Sequence, residues 1–268
     1  MLITGASSGI GEELAWQLGQ AGAKLTVTAR RRERLEQLAQ RVAATGKPRP
    51  LVVECDVTRN GDLERAVAET VHHWGKLDVV IANAGFGVVG ALKKLSLEDY
   101  RRQFETNVFG ILRTIYAALP EIEKNKGSVV ILGSVSGWVA SPGASPYVMS
   151  KFAVRALADS ITLELRLSGV KVTLISPGFV ASEIRQVDNL GRLQAGAKDP
   201  IPAWLVVPTD KAAKEILRAI AKGKREAIIT GHGKALVALH RFAPWILRAV
   251  FKKMAAGRGG YRTEAKSA

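Results

Sequence analysis

The sequence has a single cysteine, Cys55, among its 268 residues, so it cannot form an internal disulfide bond. Small secreted domains that depend on a disulfide framework are therefore excluded as a class. Cys55 stands in an apolar run, and we predict a buried core residue rather than a nucleophile. A lone thiol fits a reducing compartment, so we expect a cytoplasmic protein, either free or peripheral to a membrane.

Long uncharged apolar runs are also missing. The longest candidate, residues 235–251, is interrupted by His240, Arg241 and Arg248, whereas a membrane-spanning helix needs about 18 or more consecutive apolar residues. The first residues show no basic segment followed by a small-residue cleavage site. We therefore expect neither a transmembrane helix nor a signal peptide.

Histidine is scarce, and the four histidines show no metal-ligand spacing, so we predict no metal site. His72 and His73 fall on a predicted helix away from every motif, and His232 and His240 lie in the C-terminal part. We interpret all four as solvated surface imidazoles.

Acidic residues are outnumbered, with 24 Asp and Glu against 39 Lys and Arg and a net charge of +15. Residues 209–268 alone carry 14 Lys and Arg but 4 Asp and Glu, which is most of the excess. Such asymmetry indicates an anionic surface as partner, or solubility, rather than chemistry in the core. Because no aromatic-rich basic groove accompanies it, we expect no nucleic-acid partner.

What the sequence does have is a regular alternation of strand-like and helix-like segments. Short apolar runs rich in Val and Ile occur at residues 2–3, 25–29, 51–55, 77–82, 128–132, 170–175 and 226–230, with helical windows between them. This pattern is typical of an α/β fold, a doubly wound parallel sheet with helices on both faces. We assign residues 1–232 to one domain, with a lid over residues 183–208, and residues 256–268 to a disordered tail.

A glycine-rich turn follows the first strand and precedes the first predicted helix, residues 12–20. Glycines there let the backbone approach a pyrophosphate, and the helix N-terminus presents free N–H groups to the phosphates. A glycine-rich turn can also simply join a strand to a helix. The residues of this turn that we predict to bind a dinucleotide are Gly5, Ser7, Ser8, Gly9, Ile10 and Gly11.

Arginines stand at the end of the second strand, where an acidic residue would hold the ribose hydroxyls of NAD. A guanidinium instead binds a 2′-phosphate through charge-assisted hydrogen bonds. We therefore predict NADP, NADPH being preferred over NADH, with Arg30 and Arg31 contacting that phosphate. The alternative for Arg31, and our expectation for Arg32, is the exposed face of the following helix.

Tyr147 and Lys151 are four residues apart, so on a helix their side chains reach the same site. A free phenol has a pKa near 10, and a nearby ammonium favours the phenolate. The pair therefore predicts a general acid or base, although the same spacing also occurs on plain helix faces.

These motifs together resemble the short-chain dehydrogenase/reductase family, with its Rossmann-type sheet. Its T-G-x-x-x-G-x-G pattern occurs at residues 4–11, although the first strand is shorter than the family's, so either the true start lies upstream or the strand is short. The resemblance implies cofactor contacts by residues after the third, fourth and sixth strands, Ser182 replacing the usual threonine. They are Asp56, Val57, Asn83, Ala84, Gly85, Pro177, Gly178, Val180 and Ser182, in addition to Tyr147 and Lys151. For Asn83, an amide that caps the turn is an alternative compatible with cofactor contact.

The resemblance also implies a catalytic set of Asn107, Ser134, Tyr147 and Lys151. Ser134, thirteen residues before Tyr147, would orient the substrate oxygen, and Asn107 would hold a water behind Lys151; Ser136, at another spacing, is a polar neighbour. The implied activity is hydride transfer between NADP(H) and a carbonyl or alcohol, in a homodimer or homotetramer paired through the helices of Asn107 and Tyr147. The alternative is an NADP-binding sensor or scaffold without turnover.

Two regions outside these motifs complete the predictions. We expect a hydrophobic ketone, aldehyde or alcohol as substrate, because the expected substrate contacts are largely apolar. These contacts are Val88, Val89, Trp138, Val139, Ile184 and Leu190. Residues 233–255 form a basic amphipathic C-terminal helical extension, in which Pro244 separates two pieces or starts the second. Its apolar face either packs on the domain or a second subunit, or makes a peripheral membrane contact through residues 234–254.

Overall fold

In the computed structural model, which describes residues 1–194, 196 and 199–257, parallel strands alternate with helices along the chain. The strands are β1 (Leu2–Thr4), β2 (Thr26–Ala29), β3 (Leu51–Glu54), β4 (Val79–Ala82), β5 (Ser128–Leu132), β6 (Lys171–Pro177) and β7 (Glu226–Ile229). The helices are α1 (Gly9–Gln20), α2 (Arg32–Ala43), α3 (Asp62–Trp74), α4 (Leu97–Phe104), α5 (Gly110–Lys124), α6 (Ser145–Glu164), α7 (Thr209–Ala221), α8 (Gly231–Phe242) and α9 (Pro244–Gly257).

All seven strands join one parallel sheet in the order β3-β2-β1-β4-β5-β6-β7. The chain moves outwards from β1 to β3 and then returns to start again at β4, so the strand order reverses between β1 and β4. In open α/β sheets, ligands bind at the carboxyl ends of the strands beside such a reversal. The predicted doubly wound sheet is confirmed, and its topology places the glycine turn at this crevice.

The core has two apolar layers because neighbouring residues of each strand point to opposite faces. Ile3 and Val27 pack on the side of α1, α2 and α7, whereas Leu2 and Val80 pack on the side of α3, α5 and α6. Strands buried on both faces need continuous apolar runs, which is why the short Val- and Ile-rich segments of the sequence could be recognised.

Several boundaries differ from the prediction. Helix α1 begins at Gly9, three residues before its predicted start, because the low helix propensity of glycine is tolerated in a first turn. Strand β6 continues to Pro177, which lies next to β7 at its end. Cys55 lies just after β3 and is buried, and its burial raises the pKa of the thiol to about 12, as suits a core residue.

The C-terminal extension forms α8 and α9, the second of which starts at Pro244. The predicted domain boundary at residue 232 falls inside the first turn of α8. Val237 and Leu247 are buried, whereas Phe242 and Trp245 are exposed by 74% and 65%. Residues 258–268 of the predicted tail lie outside the described residues, and residues 256 and 257 end α9.

No helix within the described part of the chain is long and apolar enough to cross a membrane.

Candidate active site

The glycine turn between β1 and α1 is shaped by close backbone packing. Gly5 and Gly9 adopt φ angles of +68° and +58°, in the left-handed region that favours glycine. A Cβ atom on Gly5 would lie 2.7 Å from the Cα atom of Ala84, and one on Gly11 would overlap the Asn83 amide nitrogen. Side chains at these positions would therefore push the turn away from the end of β4.

Asn83 ties that turn to β4. Its Nδ2 donates to the carbonyl oxygens of Thr4 at 2.9 Å and Gly5 at 3.1 Å. The Thr4 hydroxyl in turn accepts hydrogen bonds from the backbone N–H groups of Asn83, at 3.0 Å, and Ala84, at 3.2 Å. Asn83 thus caps the turn, which is one of the two roles considered from the sequence, and its residue also lines the cleft described next.

A cleft of about 930 Å³ lies along the carboxyl ends of β1 to β4. Thirteen of the predicted cofactor residues line it, namely Gly5, Ser7, Ser8, Gly9, Ile10, Arg30, Arg31, Asp56, Val57, Asn83, Ala84, Gly85 and Ser182. Its floor presents the N-terminus of α1, where the first N–H groups of a helix lack intrahelical partners and attract phosphate. A Cβ on Gly9 would lie 3.1 Å from the Ser182 Cβ, so a side chain there would narrow the cradle. The residues therefore fit a dinucleotide.

The other predicted cofactor residues lie behind or beside this cleft. Gly11 is buried against the turn, and Pro177 ends β6. Gly178 leaves no room for a Cβ beside His232 and Thr230, so it serves packing at this point. Val180 is buried and pairs with Val207 across an isolated bridge.

The two arginines at the end of β2 differ in their surroundings. Arg30 is exposed and lines the cleft. Arg31 also lines it, but its guanidinium donates from Nε to the Ser7 hydroxyl at 3.2 Å and forms an ion pair with Glu183 at 2.9 Å. Arg32 pairs with Glu36 one turn along α2, so its predicted place on the helix face is confirmed.

Tyr147 and Lys151 lie on α6 and face the carboxyl end of β5. The Lys151 side chain is 6% exposed overall, and its Nζ donates to the carbonyl oxygen of Leu132 at 2.9 Å. Nζ lies 5.7 Å from the centre of the Tyr147 ring. Because burial disfavours the ammonium, it lowers the pKa of Lys151 to about 8.

The electrostatics of Tyr147 differ from the prediction. Burial raises the pKa of the phenol, and this outweighs two opposing influences, a hydrogen bond with the Ser134 side chain and the charge of Arg185. We expected the Lys151 ammonium to lower that pKa, but the charge acting on it here is that of Arg185, which the sequence did not single out. A neutral phenol is suited to donate a proton, which a phenolate cannot do.

Ser134 follows β5 and meets Tyr147 at the carboxyl end of the sheet. Its hydroxyl oxygen accepts a hydrogen bond from the backbone N–H of Ser136 at 3.1 Å, which caps the short 3₁₀ helix Val135–Gly137. The backbone of Ser136 therefore orients Ser134, and Ser136 is a polar neighbour of Ser134, as predicted.

Asn107 is fully buried in a π-helical segment, Glu105–Phe109, between α4 and α5. Its amide pairs with the backbone of Phe86 in both directions, at 3.1 Å and 3.0 Å, and donates to the Ser150 hydroxyl at 3.3 Å. Ser150 donates to the carbonyl oxygen of Tyr147 at 2.7 Å. Asn107 thus connects the segment after β4 to the first turns of α6; π-helical turns of this kind are frequent at functional sites.

The predicted substrate contacts differ in their surroundings. Ile184 and Leu190, from the lid, line the cleft together with Phe86, which is not among the predicted contacts. Val88 and Val139 are buried in the protein, and Val89 is exposed. The remaining residue, Trp138, contacts other protein groups: its Nε1 donates to the Ser176 hydroxyl at 3.3 Å, and the Arg155 guanidinium stacks 3.3 Å from the ring centre. Its substrate contact stays a prediction.

His232 is not a solvated imidazole, contrary to the prediction. Its Nε2 accepts a hydrogen bond from the backbone N–H of Phe179 at 2.8 Å, and its ring stacks on the Phe179 ring with centres 5.5 Å apart. Burial lowers the pKa of His232, which suits an acceptor nitrogen. Gly178 has no side chain and so leaves room for the imidazole, which is the only trace of this contact in the sequence. Because Phe179 and His232 are 53 positions apart, no local pattern reveals that they meet.

A comparison with protein families matches residues 1–192 to the short chain dehydrogenase model. Among curated proteins, 11-beta-hydroxysteroid dehydrogenase 1A of Arabidopsis thaliana is 37% identical over 189 residues, which cover 69% of this chain and 53% of that protein. The chain thus spans about half the length of that relative.

Solved structures of similar fold include two with a bound nucleotide. One is the alcohol dehydrogenase of the archaeon Thermococcus sibiricus, complexed with 5-hydroxy-NADP, with a TM-score of 0.73 and 28% sequence identity. The matched region covers 85% of this chain and 94% of that dehydrogenase. A short chain dehydrogenase/reductase of Burkholderia phymatum, in complex with NAD, has a TM-score of 0.81 at 24% identity and covers 92% of this chain and 94% of its own. The second likeness shows the fold alone.

Proposed function

The chain belongs to the short chain dehydrogenase/reductase family, and from that premise we propose that it transfers a hydride between NADP(H) and a hydrophobic ketone, aldehyde or secondary alcohol. The observation that carries the proposal is the meeting of Ser134, Tyr147 and Lys151 at the carboxyl end of β5, beside a glycine-lined cleft. A proton donor, a hydroxyl that orients the reacting oxygen and a buried amine next to a dinucleotide cradle are the parts that carbonyl reduction needs.

Each side chain has a distinct task in this proposal. The bound nicotinamide would supply the hydride. Tyr147 donates a proton to the carbonyl oxygen. Its phenol is neutral at physiological pH, since a free phenol has a pKa near 10 and burial raises the pKa of this one further. Ser134 hydrogen-bonds that oxygen while the Ser136 backbone holds its hydroxyl in place. In the oxidative direction the same groups act in reverse.

Lys151 returns the proton to Tyr147. With a pKa lowered to about 8, its amine can both lose and gain a proton near neutral pH, which an exposed lysine cannot do readily. Asn107 acts on a neighbouring element: through Ser150 it fixes the start of α6, and through Phe86 it fixes the wall of the cleft. It is therefore a positioning residue, and its expected water contact stays a prediction.

The preference for NADP rests on Arg30 and Arg31, which line the cleft at the end of β2. A 2′-phosphate would be attracted to two guanidinium groups at this point, whereas the 2′-hydroxyl of NAD would gain little from them. We expect the other predicted residues that line the cleft, Asp56 and Ser182 among them, to contact the cofactor as well.

The decisive experiment is a panel of apolar and charged carbonyl compounds incubated with the protein and NADPH or NADH. We expect oxidation of NADPH with apolar ketones or aldehydes, because Phe86, Ile184 and Leu190 offer an apolar wall. Deuterium at C4 of NADPH should appear on the carbonyl carbon of the product. Tight NADPH binding without turnover on the whole panel would instead favour a sensor or scaffold.

The exposed apolar surface of α5 and α6 supports pairing with a second copy. Tyr116 on α5, and Phe152 and Leu163 on α6, are exposed by 69%, 39% and 64%. Monomers seldom leave large apolar surfaces in water, so we expect a homodimer or homotetramer. Light scattering should show an oligomer that Leu163→Arg weakens, while Leu92→Arg, at a residue of similar exposure outside α5 and α6, should leave it intact. A monomeric wild type would refute the pairing.

A peripheral membrane contact through α8 and α9 has independent support. Phe242, Trp245 and Val250 are exposed by 74%, 65% and 44%, and Arg248 and Lys252 accompany them. Exposed aromatic and basic groups together suit an anionic lipid interface. In a sedimentation assay we expect binding to phosphatidylserine vesicles that Phe242→Ser with Trp245→Ser abolishes. Trp204→Ser, in an 84% exposed residue of the lid, is the control; absence of wild-type binding would refute the contact.

A further inference from the structure

Glu183 joins the first turn of the lid to the start of α2. Its two carboxylate oxygens are divided between two arginines: Oε2 pairs with Arg31 at 2.9 Å, and Oε1 pairs with Arg34 at 2.6 Å. The Glu183 side chain is 26% exposed, so the three groups are partly shielded from solvent. The residue directly follows Ser182, which lines the phosphate cradle.

Each of the three guanidinium nitrogens of Arg31 donates one hydrogen bond in this arrangement. Its Nε donates to the Ser7 hydroxyl at 3.2 Å, its Nη2 to the Ser7 carbonyl oxygen at 3.4 Å, and its Nη1 to Glu183. An incoming anion at the end of β2 therefore meets a guanidinium whose charge one of these partners already offsets. Glu183 is the partner of Arg31 that carries a negative charge. If Arg31 turned away from it, its other carboxylate oxygen would still be paired with Arg34.

We propose that Glu183 sets the cofactor selectivity of this protein by competing with the 2′-phosphate of NADP(H) for Arg31. The inference rests on the proposed function and deepens it. When NADP(H) binds, Arg31 turns from Glu183 to the phosphate, and Arg34 keeps the carboxylate. NAD(H), which has a hydroxyl in place of the phosphate, does not break the ion pair between Arg31 and Glu183. The carboxylate thus reduces a preference for NADP(H) that the arginines alone would make larger.

The test measures dissociation constants of NADPH and NADH by calorimetry for the wild type and Glu183→Gln. Glutamine keeps the size of the side chain but removes the competing charge, so NADPH should bind roughly 2- to 5-fold more tightly, the range expected for one partly screened ion pair. The affinity for NADH should change by less than about twofold. Because the competition is electrostatic, the gain should shrink as salt is raised from low to about 0.5 M.

A second variant gives an effect of opposite sign. Arg34→Gln leaves Glu183 with Arg31 as its partner, so the carboxylate becomes harder to displace and NADPH should bind several-fold more weakly, again with little change for NADH. Glu33→Gln is the matched control, since it removes one negative charge from an exposed position on the same turn of α2. It should leave both affinities within about twofold of the wild type.

The possible failures can be told apart. If the wild type binds neither nucleotide, the proposed function itself fails. If NADPH and NADH gain equally in Glu183→Gln, the residue is a lid contact without selectivity, and the inference is wrong. If NADH alone binds more weakly, Glu183 accepts hydrogen bonds from the ribose, which also overturns it. Thermal unfolding of each variant checks that the compared proteins are folded.

Discussion

Replacing Lys151 with methionine should stabilise the folded protein while it abolishes turnover. The lysine is 6% exposed, and its Nζ donates to the Leu132 carbonyl oxygen at 2.9 Å. Burial lowers its pKa from 10.5 to about 8. At neutral pH the protein therefore maintains an ammonium in a place that disfavours it, and methionine would fill nearly the same volume without a charge.

The expected magnitude follows from that lowered pKa. Each pKa unit corresponds to about 1.4 kcal/mol, so the ammonium costs the folded state about 3 kcal/mol at pH 7. Loss of the hydrogen bond to Leu132 offsets about 1 kcal/mol of the gain. The net gain of about 2 kcal/mol should raise the melting temperature by roughly 4–8 °C in a domain of this size.

The sign of the pH dependence provides a stricter test. Between pH 8 and pH 10.5 the unfolded lysine binds more protons than the folded one, so this residue adds stability to the wild type as pH rises. The advantage of Lys151→Met should therefore fall to near zero by about pH 9.5. Calorimetry of both proteins between pH 7 and 9.5 measures this, with Lys47→Met, an exposed lysine, as control. A variant less stable than the wild type at pH 7, or a gain independent of pH, would refute the reasoning.

Three further changes test other parts of the site. Gly11→Ala places a methyl group against the Asn83 amide, so it should lower the free energy of unfolding by about 2–3 kcal/mol and weaken nucleotide binding. Thermal shift measures both effects, and an unchanged melting temperature would contradict the packing described for this turn. His232→Gln should reduce the loss of stability below pH 6.5, because burial lowers the pKa of this imidazole and the unfolded state therefore takes up a proton first. Denaturant titrations at pH 7 and pH 5 measure the loss, and the same pH dependence in variant and wild type would contradict the prediction. Ser134→Ala should lower kcat/KM by about 10²-fold with nucleotide affinity retained, because it removes a donor to the reacting oxygen; steady-state kinetics test this, and wild-type kcat/KM would exclude the role.

The fold could be predicted from the sequence because its signals are local. Buried parallel strands need short runs of Val and Ile, and β5 was located to its ends by that composition alone. The helix boundaries follow less directly from the sequence, as at Gly9, where glycine has low helix propensity but is tolerated in a first turn.

The site could be predicted only where one segment determines it. Gly5 and Asn83 line the cleft as expected because strand ends in a parallel sheet meet at one edge. The partners of Arg31 could not be found in this way, since Glu183 is 152 positions away and is delivered by the lid. The contacts of Trp138 could not be found for the same reason: its partner Arg155 comes from a later turn of α6, and an apolar side chain in a loop carries no signal of its direction.

The most direct test of the account is the turnover of Tyr147→Phe at saturating NADPH, with the best substrate of the panel. Phenylalanine keeps the ring and removes the hydroxyl that meets Ser134, so we predict a loss of at least about 10³-fold in kcat, unchanged NADPH affinity, and full activity in Tyr116→Phe, whose ring is exposed on α5. Turnover of Tyr147→Phe close to that of the wild type would contradict the assignment of this phenol as the proton donor.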